Sequence, residues 1–327
     1  MSKKYTLKRY INVDEYKADV LDILLKDEVR NNVLISILVD GTRDHIANWF
    51  MATVTDTRDK IVLIALCTKP FPLLLCKPVD EPGSESLEEP ASARHNDSVE
   101  FLAREMRRFG LMPSGVLALD SLAGHFADAF CDGKDGIDSG KNADTGGTVD
   151  VSGKADVDST RTFIKCRFHM TMILMKLEKL NEYKKAPGFC RMLNESDLSY
   201  TPYWENAFCI DCRVPVYSIS ESEKRIKTRL GMNIHYIWQD NEPVAQAVLG
   251  RNTPNGAAIS WVYTPPEFRG KGYATSVVAE LSKALLDGGK SFCCLFADAS
   301  NPASCAVYHK LGYYDVCRFD DIKFDVT

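Results

Sequence analysis

The chain has 327 residues, 45% of them hydrophobic and 26% charged, with a formal net charge of −5. The length suits about two domains, and the acidic balance excludes the broad basic footprint of a nucleic-acid-binding protein. No apolar run approaches the ~20 residues of a membrane span. The N-terminus, Met1-Ser2-Lys3-Lys4-Tyr5, has no apolar stretch behind its charges, so a cytoplasmic protein without a secretory leader or membrane partner is expected. Eleven cysteines is an odd count, and several of them (Cys67, Cys293, Cys294) fall in apolar strand-like runs. They read as free buried thiols of a reducing compartment. Cys209 and Cys212 form one CxxC pair without the second pair or the histidines that a zinc site needs. They read as a strand-edge pair, and no metal is expected.

In chain order, residues 14–28 carry Tyr16, Val20, Leu21, Leu24 and Leu25 at helical spacing, and a second helical stretch runs through Val33, Leu34, Ile37 and Leu38. Residues 50–54 and 61–67 flank a polar turn and read as a hairpin. Residues 77–97 are rich in Pro, Glu, Ser and Asp and read as a solvated loop. Helical spacing returns over 99–109, strand-like apolarity over 111–119, and a helix over 121–130. Residues 132–160 are nearly devoid of large apolar side chains. Such a segment cannot offset the entropy of its own ordering and is expected to be disordered. A strongly apolar strand follows over 161–177.

A new segment opens after Pro187, and the domain boundary is placed near 185. Asn194-Glu195-Ser196-Asp197 is capping sequence ahead of Leu198, Tyr203 and Trp204. A helix is expected over 220–230 and a strand over 232–239. Asp240-Asn241-Glu242 reads as a turn, 243–249 as a returning strand, and Thr253-Pro254-Asn255-Gly256 as a second turn. The strand over 257–263 ends at Thr264-Pro265-Pro266. Glu267-Phe268-Arg269-Gly270-Lys271-Gly272-Tyr273-Ala274-Thr275 then leads into a helix with Ala274, Val277, Val278, Leu281 and Leu285 on one face. A buried strand over 292–297 precedes a second helix opened by Asn301-Pro302 and closed by Gly312. Terminal strands are expected over 313–319 and 322–324.

The turn at 269–275 carries the chemistry. A strand feeds a glycine-rich turn that becomes a helix N-terminus, where main-chain N–H groups lack intrahelical partners and the helix dipole adds partial positive charge. Gly270 and Gly272 allow close backbone approach, and Arg269 and Lys271 bring full charges. The arrangement suits a pyrophosphate. It lacks the GxxxxGK[ST] of a nucleoside-triphosphate loop and the third glycine of a dinucleotide fold, since Thr275 stands there.

Arg269-x-x-Gly272-x-Ala274 resembles the Q/R-x-x-G-x-G/A signature of the GNAT N-acetyltransferases, and residues 301–313, NPASCAVYHKLGY, resemble that family's N-x-x-x-x-x-x-Y-x-K-x-G-F/Y helix. The likeness covers about 190–325. It implies an α/β fold, a mixed central sheet flanked by helices that splays at the cofactor site, and acetyl-CoA as cosubstrate. By position it implies that main-chain groups of Arg269, Gly270, Lys271, Gly272, Tyr273, Ala274 and Thr275 surround the CoA pyrophosphate. Val262 and Tyr263 would pair with pantetheine, Asn301 would contact the same arm or only cap its helix, and Tyr308 would protonate the leaving thiolate. A phenol is a proton donor at neutral pH. A main-chain N–H near Val262 or Tyr263 would polarise the acetyl carbonyl. The base that deprotonates the amine stays open among Glu267, Asp298, His235, Tyr263 and a chain of waters.

The first half resembles a degenerate GNAT unit. Its hairpin and strand are followed by Cys76-Lys77-Pro78 in place of a basic glycine turn, so two similar units are expected, 1–185 and 186–327, the second with the working motif. The expected activity is acetyl transfer to a primary amine of a small molecule or peptide, in a monomer or homodimer. A non-catalytic acyl-CoA sensor or scaffold and a longer acyl donor are the alternatives.

Overall fold

The computed structural model describes residues 4–40, 48–79, 97–134 and 163–326. The first half contains β1 (Thr6–Tyr10), α1 (Val13–Leu25), α2 (Asn32–Asp40), β2 (Trp49–Thr55), β3 (Ile61–Thr68) and β4 (Leu73–Cys76). Then come α3 (Asp97–Arg108), β5 (Gly115–Leu119), α4 (Asp120–Phe130), β6 (Gly133–Lys134) and β7 (Ile164–Leu177). The second half repeats the sequence of elements: β8 (Phe189–Met192), α5 (Thr201–Asp211), α6 (Ile219–Met232), β9 (His235–Asp240), β10 (Glu242–Asn252), β11 (Gly256–Tyr263), α7 (Tyr273–Asp287), β12 (Phe292–Asp298), α8 (Pro302–Leu311) and β13 (Tyr314–Val326).

Most expected elements appear where the apolar spacing puts them, and four readings change. Met232 belongs to α6, because the helix runs on to Asn233, which closes it in a left-handed conformation (φ 54°). The two terminal strands are one, β13. Asp320 and Asp321 are drawn into the sheet, the first by the Thr171 hydroxyl at 2.6 Å and the second by Lys323 at 2.8 Å, and the chain bulges there without turning. Cys209 lies on helix α5 and Cys212 caps it, so neither is at a strand edge. Strand β8, on the edge beside β9, was not anticipated. The loop expected over 77–97 and the disordered stretch expected over 132–160 lie, except at their ends, outside the described residues; at one such end β6 pairs with β7. None of the eleven cysteines is in a disulfide.

The strands form one continuous mixed sheet in the order β1, β2, β3, β4, β5, β13, β7, β12, β11, β10, β9, β8. Its centre is an exchange. The last strand of the second half, β13, pairs with β5 of the first from Phe319↔Leu119 to Lys323↔Gly115. The last strand of the first half, β7, pairs with β12 of the second from Cys293↔Leu177 to Asp298↔Met172. Between them β7 and β13 run antiparallel from Tyr314↔Lys176 to Val326↔Ile164.

Helices cover both faces in each half. In the first, α3 and α4 bury Leu102, Met106, Phe126 and Phe130 against the sheet, and α1 and α2 bury Tyr16, Val20, Leu24 and Ile35 on the other side. In the second, Val277, Val278 and Leu281 of α7 and Tyr308 and Leu311 of α8 pack on one face, with α6 on the opposite face through Ile226.

A buried carboxylate joins the halves outside the sheet. Glu28, in the turn between α1 and α2 and 8% exposed, accepts from the Thr253 hydroxyl (2.5 Å), the Asn255 N–H and side-chain amide (2.8 Å each) and the Gly256 N–H (3.0 Å). It thereby closes the turn that starts β11. Glu28→Ala would leave these buried donors without a partner and is expected to destabilise the protein by about 2–4 kcal/mol, measured as a lowered urea midpoint with the slope unchanged.

Candidate active site

Strands β11 and β12 start as parallel neighbours, paired at Gly256↔Phe292, Ala257↔Cys293 and Ala258↔Cys294. No pairing follows, although β11 runs on to Tyr263 and β12 to Asp298. The strands therefore open a cleft at their C-terminal ends, where ligands of open α/β sheets bind. Beyond Ala258 the main-chain groups of β11 on that side have no strand partner.

The α7 N-terminus stands at the end of this cleft. Gly270 (φ 77°) and Gly272 (φ 85°) are left-handed, and Gly272 is the N-cap. A Cβ at Gly270 would meet nothing within 4 Å, and at Gly272 only the Ala186 Cβ at 3.9 Å. Glycine is needed here for its dihedrals rather than for space, since left-handed backbone costs another residue roughly 1–2 kcal/mol. Ser276 N–H is the first to bond within the helix, to the Gly272 carbonyl at 3.0 Å. Among the described residues, none of the N–H groups from Gly270 to Thr275 donates to a protein group. The first turn carries no acidic side chain. The corresponding helix of the first half, α3, has Asp97 and Glu100 in its first turn, with Asp97 ion-paired to Lys4. Its positive pole is already met from within the chain, while that of α7 is open to an anion.

Of the two cations expected to face that anion, one is engaged elsewhere. The Arg269 guanidinium donates through Nη2 to Asp211 at the end of α5 (2.6 Å) and through Nε to the Thr264 carbonyl (2.9 Å). It fastens the turn to α5. Lys271 is exposed, its Nζ 5.5 Å from the Phe268 ring centre. Tyr273 is buried, its hydroxyl donating to Asp240 at 2.5 Å.

Across the cleft, Asn301 caps α8 by accepting from Ser304 N–H at 3.0 Å. Tyr308, two turns along, is 6% exposed and packs edge-on against Tyr313. Burial pushes its hydroxyl up to about 12 against the opposing effect of Ser304 one turn away, so the phenol keeps its proton at neutral pH.

Strand β11 carries an irregularity that the sequence did not signal. Its register against β10 slips between Gln246↔Tyr263 and Val248↔Ser260, and Trp261 sits in the bulge at φ +55°. For a tryptophan this costs of order 1–3 kcal/mol unless the surroundings enforce it. They do: its ring lies 4.8 Å from that of Phe208 and 4.6 Å from the Arg229 guanidinium, which is held by fully buried Glu205 at 2.7 Å. Trp204, one turn before Phe208 on α5, packs 6.0 Å from the ring of Tyr263. The spacing Trp204, Phe208 places an aromatic row over Tyr263 and Trp261.

Residues 240–319 match the protein-family model described as FR47-like protein. A search of curated proteins finds no match. Solved structures align along nearly the whole chain. An acetyltransferase from the GNAT family from Colwellia psychrerythraea has TM-score 0.56 at 11% identity, over 98% of this chain and 100% of its own. A GCN5-related N-acetyltransferase from Sphaerobacter thermophilus has TM-score 0.56 at 11% identity, over 100% and 96%. A Drosophila protein has TM-score 0.55 at 12% identity, over 98% of each chain. The fold is that of the GNAT acetyltransferases.

Within that fold, Val262, Tyr263, the 269–275 turn and Asn301 at the head of α8 lie at the C-terminal ends of β11 and β12, and Tyr308 lies two turns further along α8. The four side chains considered as base differ in environment. Asp298 accepts from Ser300 N–H and hydroxyl and from Arg213; burial alone would raise its pKa, but these donors hold it below the ordinary value. Burial raises the Tyr263 phenol, with nearby Asp211 adding to the effect. Glu267 is exposed. His235 is 1% exposed, and burial, helped by the Arg229 charge and opposed by Gln246 and Asp197, lowers it from 6.5 to about 4. A second opening lies in the first half, where β4 and β5 part after Leu74↔Leu117. It is lined by Arg30, Leu34, Lys77, Phe296 and Phe319, and among the described residues no glycine belongs to its lining.

The buried histidine gives a pH dependence with a definite sign. The unfolded chain binds its proton near pH 6.5 and the folded chain only near 4. This contribution to stability is therefore intact above pH 6.5 and falls toward pH 4, by roughly 3 kcal/mol in all. Urea unfolding of the wild type and His235→Gln across pH 4–7 is expected to show a shallower loss in the variant.

Proposed function

We propose that the protein is an N-acetyltransferase that moves the acetyl group of acetyl-CoA to a primary amine of a small molecule or peptide, with the second half as the working unit. The observation that carries this reading is the fan of unpartnered N–H groups from Gly270 to Thr275 at the end of the β11/β12 cleft. A diphosphate at the fan meets main-chain donors and the helix dipole together. From there an extended pantetheine arm has the open edge of β11 beyond Ala258 to pair with, Val262 and Tyr263 included. Lys271 adds one mobile positive charge. Arg269 serves by holding the turn against α5.

In the proposed step the neutral amine attacks the acetyl carbonyl, forming the C–N bond as the C–S bond breaks. The sulfur leaves as thiolate and takes the Tyr308 proton, while the amine gives its surplus proton to solvent or a nearby base. Holding both reactants in one cleft supplies much of the rate. The high pKa of Tyr308 keeps the donor protonated at working pH.

Calorimetry and thiol release test this reading. CoA alone is expected to bind the wild type, and Gly272→Val to abolish binding at a cost of about 1–2 kcal/mol in stability, with the variant still folded. Against a panel of primary amines, Tyr308→Phe is expected to lower kcat by about 100-fold with acetyl-CoA affinity unchanged. Failure of the wild type to bind CoA would overturn the reading. Binding without transfer to any amine would favour an acyl-CoA sensor.

A further inference from the structure

Gln246 is 1% exposed in the middle of β10, and its side chain has two neighbours. Its Nε2 lies 3.4 Å from the main-chain oxygen of Trp261, and its Oε1 lies 3.1 Å from Nε2 of His235. The Trp261 carbonyl can only accept, so the Gln246 atom facing it is the amide nitrogen. The atom facing His235 is then the oxygen, and His235 carries its proton on Nε2. A neutral imidazole in that tautomer fixes the orientation of the Gln246 amide. The relay runs from His235 to Gln246 to the bulge.

The carbonyl of Trp261 and the N–H of Val262 belong to one peptide unit. The unit is trans, since the cis bond found among the described residues is Lys69-Pro70. In a trans peptide the C=O and N–H point in opposite directions. Strand β11 lies between β10 and β12. With its oxygen drawn toward the Gln246 side chain, this peptide holds the Val262 N–H on the side opposite that contact. The Trp261 ring is fixed independently by Phe208, Arg229 and Glu205, so the left-handed residue beside the peptide has no free rotation.

We propose that Gln246, oriented by His235, is a positioning residue that aims the Val262 N–H at the acetyl carbonyl. This inference rests on the acetyltransferase reading and adds to it a buried side chain that touches neither substrate. An amide held in advance of the reaction stabilises the developing oxyanion without reorganising. Cofactor affinity comes chiefly from the cradle around α7, so loss of Gln246 separates turnover from binding.

The test uses the full chain with nitrogen-15 labelling and adds acetyl-CoA or CoA in turn. In the wild type, both ligands are expected to shift the Gly272 and Tyr273 amides, and acetyl-CoA to shift the Val262 amide further than CoA does. Gln246→Met removes both hydrogen bonds at nearly constant volume. Gln246→Asn keeps a buried amide beside His235 but draws it back from Trp261, and guards against a folding failure of the first variant. In both, the extra Val262 shift with acetyl-CoA is expected to vanish and kcat to fall by about tenfold or more, with the dissociation constant of acetyl-CoA within about threefold of wild type. Retention of that extra shift and of kcat in a folded variant would overturn the role of Gln246 and leave the acetyltransferase reading standing. Absence of any CoA-induced shift at Gly272 and Tyr273 in the wild type would overturn both.

Discussion

The ladder between β7 and β13 is the constraint on which the molecule depends. Each half ends in a strand that completes the sheet of the other, so β12 is paired along its length by β7 from Cys293 to Asp298. A strand so held on one edge can part from its other neighbour at small cost, because only one row of hydrogen bonds is left unmade. The β11/β12 cleft is such a parting. The cleft in the second half is thus open because a strand of the first half holds one of its walls, and Glu28 closes the turn at the start of the other wall.

The two halves show how one architecture is made receptive or not by a few residues. Both open between parallel strands, β4/β5 and β11/β12. In the first half, the chain leaves β4 through Lys77 and Pro78, and the next helix begins with acidic side chains. In the second half, the helix begins with Gly272 and has no carboxylate in its first turn. Among the described residues, its positive pole has no partner. The difference is electrostatic and conformational, and it needs no change in the sheet.

Much of this was legible in the sequence where one local rule decided the outcome. The spacing of Val277, Val278 and Leu281 fixes α7. Asn301, Pro302 and Gly312 bracket α8. The glycines of the turn announce left-handed backbone. The 320–321 aspartates misled because their partners, Thr171 and Lys323, are supplied by the sheet and not by neighbouring sequence alone. The CxxC pair misled because a cysteine carries little helical or strand preference, and its place on α5 is set by Trp204 and Phe208 facing β11. The strand exchange, the Glu28 contacts and the pairing of Arg269 with Asp211 join residues far apart in the chain. A bulge at Trp261 has no composition mark, since a bulky residue such as tryptophan is not expected at a positive φ.

Strand β13 follows every other element in the chain, yet it lies next to β5. During synthesis the first half therefore emerges with the β5 edge bare, and that edge stays so until the whole second half has been made. An uncovered edge is a template for pairing with other chains, and contacts this distant in sequence form slowly. Nascent copies crowded on one messenger would be exposed to mispairing during that interval, so the first half bears the exposure although the open helix pole lies in the second.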